Sequence, residues 1–146
     1  MSPAEAPVAA SLAGAAVDHV GLSVGDLDGS SAFYRALGFV EVARTAIPSA
    51  GSRVVVLALA GGPRIELTER AGSTATDAVP SPAEAALRRG YFHWAIAVPD
   101  LERAYAAAVA CGAVAIIPPR DGSRPGMRFA YVADPEGNLL ELTAAH

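Results

Sequence analysis

The sequence predicts an α+β fold: two tandem βαβββ modules forming a concave mixed sheet, with helices on the outer face. Three observations carry that reading. Val17-Asp18-His19-Val20-Gly21-Leu22-Ser23-Val24-Gly25-Asp26-Leu27 returns as Tyr91-Phe92-His93-Trp94-Ala95-Ile96-Ala97-Val98-Pro99-Asp100-Leu101. Ile65-Glu66-Leu67-Thr68 returns as Leu140-Glu141-Leu142-Thr143. Between these stretches each half reads strand, helix, strand, strand, strand, and a repeat of that size sets the architecture. The expected organisation is a mobile tail over 1–16, a first module over 17–70, a linker over 71–90 and a second module over 91–146.

Residues 17–24 alternate. Val20, Leu22 and Val24 face one way, and His19, Gly21 and Ser23 the other, as in a strand with one apolar face. Asp26 or Asp28 can accept from the open amides that begin a helix. That helix is expected over 28–37, with Phe33 and Leu37 inward and Gly38 as its stop. Residues 39–47 read as a strand ending before Pro48, and Ser49 to Ser52 as a turn. The apolar run Arg53 to Leu59 is a strand, turned back by Gly61-Gly62-Pro63. In 64–69, Ile65 and Leu67 oppose Arg64, Glu66 and Thr68. The linker is polar to Pro82 and allows a short helix over Ala83–Arg89.

The second half repeats this order. Strand 91–98 sets His93, Ala95 and Ala97 against Phe92, Trp94, Ile96 and Val98. Asp100 caps a helix over 101–111, closed by Gly112. Strand 113–117 is expected to end at Pro118-Pro119, and 120–126 to form a loop. Strand 127–133 stops at Asp134-Pro135-Glu136-Gly137-Asn138, a hairpin turn by composition. Strand 139–143 holds Glu141 opposite Leu140 and Leu142.

The 146 residues suffice for one domain with a real core, and 52% of them are hydrophobic. No run reaches the roughly 18 apolar residues of a membrane span. The net charge of -4 is scattered, which argues against nucleic-acid and membrane partners. Cys111 is the one cysteine, so no intrachain disulfide forms. Residues 1–16 lack the positive start of a signal peptide, so a cytoplasmic location is expected.

His19, Glu66, His93 and Glu141 all fall on the face opposite the helix-packing residues. Their neighbours there are small: Gly21, Ser23, Ala95 and Ala97. Two imidazoles and two carboxylates suit one divalent transition metal per site: Ni, Zn, Co, Mn or Fe. Two further positions would admit two oxygens of a small-molecule substrate. The metal would polarise a carbonyl, and Glu66 or Glu141 would act as the base. Lone strand histidines and glutamates are ordinarily structural. Here both pairs repeat in register.

These residues resemble the vicinal oxygen chelate superfamily, which includes glyoxalase I, extradiol dioxygenases and bleomycin-resistance proteins. The markers are His19-Val20-Gly21-Leu22-Ser23-Val24, Asp26-Leu27, Phe33-Tyr34, Leu37-Gly38-Phe39 and Asp134-Pro135-Glu136-Gly137-Asn138-Leu139-Leu140-Glu141-Leu142. The resemblance implies paired modules, a metal in the concave sheet and a homodimer. It places His19, Glu66, His93 and Glu141 at the four ligand positions of glyoxalase I. Ser23 stands where glyoxalase I commonly has an arginine that contacts glutathione, so it is a candidate substrate contact.

The implied activity is a metal-dependent lyase or isomerase. The alternatives are a sequestering protein of the bleomycin-resistance type and an Fe(II) ring-cleaving dioxygenase. Arg120, Arg124 and Arg128 surround the penultimate strand and are candidates to hold a substrate anion. Trp94 and Phe33 are expected in the core, as is Cys111.

Overall fold

A computed structural model describes residues 11–75 and 80–146. The expected tail up to residue 10 and residues 76–79 of the expected linker lie outside the described residues. The first module runs β1 (His19–Val24), α1 (Leu27–Ala36), β2 (Val40–Ile47), β3 (Ser52–Ala58) and β4 (Arg64–Arg70). A short α2 (Pro82–Ala85) follows. The second module runs β5 (Trp94–Ala97), α3 (Leu101–Ala110), β6 (Val114–Asp121), β7 (Met127–Ala133) and β8 (Leu139–Ala145).

Each module folds into its own four-stranded mixed sheet, with orders β1-β4-β3-β2 and β5-β8-β7-β6. The first and last strands of each module pair in parallel, and the hairpins are antiparallel. A parallel pair needs a long crossover. In each module the crossover is the helix and the two strands after it.

The helices start and stop alike. Asp26 accepts from the Gly29 amide at 2.9 Å, and Asp100 from the Arg103 amide at 3.0 Å. Gly38 and Gly112 take the positive φ values of 102° and 106° that end a helix. α2 carries a capping box between Ser81 and Glu84. No described helix is long and apolar enough to cross a membrane.

β6 departs from expectation. It continues through Pro118-Pro119 to Asp121, with two register shifts against β7. The reason is its position. β6 is an edge strand, so a proline lacking an amide loses no partner on the open side, and the bulges absorb the mismatch.

One core joins the modules. Leu27, Phe33, Tyr34, Val55, Leu57, Ile65 and Leu67 cluster with Trp94, Leu101, Val132 and Leu140. Cys111 packs against this cluster. The Tyr34 ring lies 6.1 Å from Trp94, and the buried Tyr34 hydroxyl donates to Asp134 Oδ2 at 2.6 Å. Asp134 also accepts from the Glu136 and Asn138 amides. The Asp26 amide donates to Glu136 at 2.8 Å. The β7–β8 turn thus receives both ends of α1.

Candidate metal centre

In each module the parallel strand pair delivers one histidine and one glutamate to the concave face. His19 begins β1, and Glu66 on β4 pairs in register with Gly21. His93 directly precedes β5, and Glu141 on β8 pairs with Ala95. The glycine and alanine leave space above each pair. His19 Nε2 lies 3.9 Å from Glu66 Oε2, and His93 Nε2 lies 3.0 Å from Glu141 Oε2.

The surroundings differ. His19 is 41% exposed and Glu66 36%, against 24% for His93 and 19% for Glu141. Asp18 Oδ2 holds His19 Nδ1 at 2.8 Å. That hydrogen bond raises the imidazole pKa and leaves Nε2 facing Glu66. Asp18 in turn lies 3.6 Å from Arg64. Phe92 replaces Asp18 in the second module. It meets the His93 ring edge-on at 4.4 Å, and His93 Nδ1 is buried without a partner among the described residues.

Tyr131 stands across from Glu141 in the β7–β8 register, and its ring lies 5.4 Å from His93. Burial and the neighbouring Glu141 carboxylate push its phenol up to about 12, so it is a neutral donor at physiological pH. Phe129 is next along the same face, 5.9 Å from Tyr131. Arg120 stacks over Phe129 at 5.3 Å. Ile117, Arg120, Arg124, Phe129, Tyr131 and Glu141 line an open cavity of about 370 Å³.

Ser23 is exposed on the first module's concave face, and Arg124 sits on the cavity wall. Arg128 also borders this cavity, but its guanidinium is paired: it donates to Glu102 of α3 at 2.6 Å and lies 3.5 Å from Asp121. The β7 register sends Phe129 and Tyr131 to the concave face and Arg128 to the helix face.

The four sequence-derived ligands come together as two pairs. Among the described residues no three His, Cys, Asp or Glu side chains converge on one point. Asp18, Phe129 and Tyr131 emerge only from the structure. Alternation along β7, once its register with Glu141 is known, is the signal that finds the last two.

No curated protein matches the chain. Among solved structures, a glyoxalase-family protein from Enterococcus faecalis is 24% identical, with a TM-score of 0.72 over 88% of this chain and 97% of that one. The trypanothione-dependent glyoxalase I of Leishmania major is 26% identical, with a TM-score of 0.62 over 85% and 82%. Glyoxalase I from Zea mays is 22% identical, with a TM-score of 0.69 over 86% of this chain; the match spans only 43% of the maize chain. The family profile described as Glyoxalase/Bleomycin resistance protein/Dioxygenase superfamily matches residues 16–142. With that match over most of its length and two βαβββ modules carrying His–Glu pairs at equivalent positions, the chain belongs to the glyoxalase/bleomycin resistance protein/dioxygenase superfamily.

Proposed function

We propose that this chain is the protomer of a divalent-metal-dependent lyase or isomerase whose small substrate chelates the metal through two neighbouring oxygens. The observation that carries this is the repeated pair: His19 with Glu66 and His93 with Glu141, each on a concave face at matching register. The donor chemistry fits a Zn, Ni, Co, Mn or Fe(II) ion. Each pair supplies two donors. A four-donor site therefore brings His19 and Glu66 of one copy to His93 and Glu141 of another, in a homodimer. The exposed Val40, Val42 and Val114 on edge strands β2 and β6 suit such an association. The likeness to the Leishmania glyoxalase I supports the lyase reading.

When bound, the metal supplies Lewis-acid polarisation of a carbonyl oxygen. The chain's own groups do the rest. Glu141, or Glu66 in its place, takes a proton from the carbon beside that carbonyl and returns the same proton to the substrate. Tyr131, neutral and beside Glu141, steadies the carboxylate. Asp18 orients His19. Phe92, Phe129 and Tyr131 give the second module's half of the site an aromatic wall.

The test is elemental analysis of protein prepared without chelator or nickel affinity resin, on wild type and His93→Ala. About one transition metal per chain, lost in the variant, is expected. No metal in the wild type, and none taken up on titration, overturns the reading. A second reading, a sequestering protein, draws on the cavity beside a pair that offers only two donors. It predicts that a bound ligand is returned unchanged and that a chelator has no effect.

A further inference from the structure

Resting on the metal-site reading above, we infer that the substrate has a flat apolar or aromatic body ending in an anionic group. The body lies against Phe129 and Tyr131, and the anion meets Arg120 and Arg124. The argument begins from the cavity, whose volume of about 370 Å³ suits a small molecule. Glu141 and Tyr131 occupy one cross-strand row of its floor, and Thr143 and Phe129 the next. A two-residue step along a strand is roughly 7 Å, about the length of one substituted ring. A ligand whose oxygens reach Glu141 and His93 therefore lays its body over Phe129. Arg120 pairs with Phe129 across the β6–β7 ladder and brings its guanidinium to 5.3 Å from that ring. Stacking fixes the guanidinium plane and leaves its N–H edges free for a carboxylate or phosphate.

Charge separates these arginines from several others. Arg44, Arg53, Arg64 and Arg128 each lie against a carboxylate. Arg120 and Arg124 have no carboxylate partner among the described residues, yet both line the cavity. The first module shows that the chemistry is local. At the corresponding register it places Thr45, Val54 and Val56 around Glu66, and the cation on that face, Arg64, lies against Asp18. The body of the substrate accordingly rests on the second module, whichever copy supplies the other pair.

The experiment titrates three hydroxamates sharing one chelating head: acetohydroxamate, benzohydroxamate and 4-carboxybenzohydroxamate. Calorimetry reads each with metal-loaded and metal-free protein. The ring is expected to raise affinity over acetohydroxamate, and the carboxylate to raise it about tenfold more. In Arg120→Ala/Arg124→Ala, at two exposed positions, the carboxylate gain disappears, so that the two ring compounds bind with equal affinity. In Phe129→Ala the ring gain shrinks. Equal affinity of the carboxylated and plain rings for wild type, or a carboxylate gain that survives the double variant, overturns the inference. Failure of the metal reading shows elsewhere: acetohydroxamate then binds no better with metal than without. The ratio of the two ring compounds remains readable in metal-free protein.

Discussion

The two modules share a scaffold and differ in the wall they build around it. Asp26 and Asp100 cap equivalent helices, and Gly38 and Gly112 close them. Glu66 and Glu141 stand at equivalent register. Around Glu66 the concave face carries Ala43, Thr45, Val54 and Val56; around Glu141 it carries Ile117, Arg120, Phe129 and Tyr131. Backbone requirements such as caps, left-handed glycines and strand parity hold in both copies. Residues that only face the cavity are free to diverge. On the proposed reading both pairs hold the metal; the first adds a carboxylate behind its histidine, and the second adds rings that form the substrate's wall.

That division predicts unequal roles for the two glutamates. Deuterium exchange at the carbinol carbon of 2-hydroxyacetophenone, followed by NMR with metal-loaded protein, reads proton abstraction next to a carbonyl. Glu141→Gln is expected to slow it by about 10²–10⁴-fold, the usual cost of losing a general base. Glu66→Gln is expected to slow it less and to act mainly through metal affinity. The reverse order would move the base to the first module.

The histidines sharpen the comparison from the other side. A site built from both pairs loses metal affinity by about 100-fold or more in either His19→Ala or His93→Ala, since even residues behind the ligands commonly account for 10–100-fold. Titration with Zn(II) or Ni(II) measures it. Loss in His93→Ala alone would confine the metal to the second module and remove the need for a partner copy.

A smaller effect separates the modules in stability. Tyr34 of α1 reaches Asp134 of the second module, whereas the equivalent position in α3 is Ala108. Tyr34→Phe leaves the buried Asp134 Oδ2 with the Asn138 side-chain amide as its one remaining donor and is expected to cost about 1 kcal/mol. Thermal unfolding measures it. A negligible shift would mean that the Asn138 side-chain amide, which also donates to Oδ2 at 3.0 Å, satisfies that oxygen without Tyr34.

The legibility of the sequence followed the same line. The repeat exposed both histidines and both glutamates, because their residue types and strand parity recur. Helix ends were readable from single caps and glycines. Tyr131 and Phe129 were not, since β7 is largely apolar on both faces and offers no polar alternation to orient it. Arg128 borders the cavity, but only the register set by the Asp134–Asn138 turn shows that its guanidinium is paired with Glu102. Pro118-Pro119 reads as a strand end unless β6 is known to be an edge. The separation of the four candidate ligands into two pairs depends on how one sheet packs beside the other, and no local pattern encodes that.

The smallest predicted effect concerns Glu69, a residue of the first module alone; its counterpart is Ala144. Its carboxylate accepts from the Leu27 amide at 2.9 Å and pairs with Arg53 at 2.7 Å. The amide hydrogen bond, then the guanidinium, holds its pKa below the ordinary 4.5. A carboxyl depressed in the folded state binds protons more readily when unfolded, so it adds stability above its unfolded value. That contribution fades as pH falls through the folded one. Glu69→Gln should therefore unfold more readily than wild type at pH 7, and the two denaturation curves should converge on acidification below about 4. Because the pair is exposed, added salt should narrow the difference as well. A gap that stays constant from neutral to acid pH would assign the effect to packing of the side chain instead. The tie between β4 and the start of α1 would then owe nothing to charge.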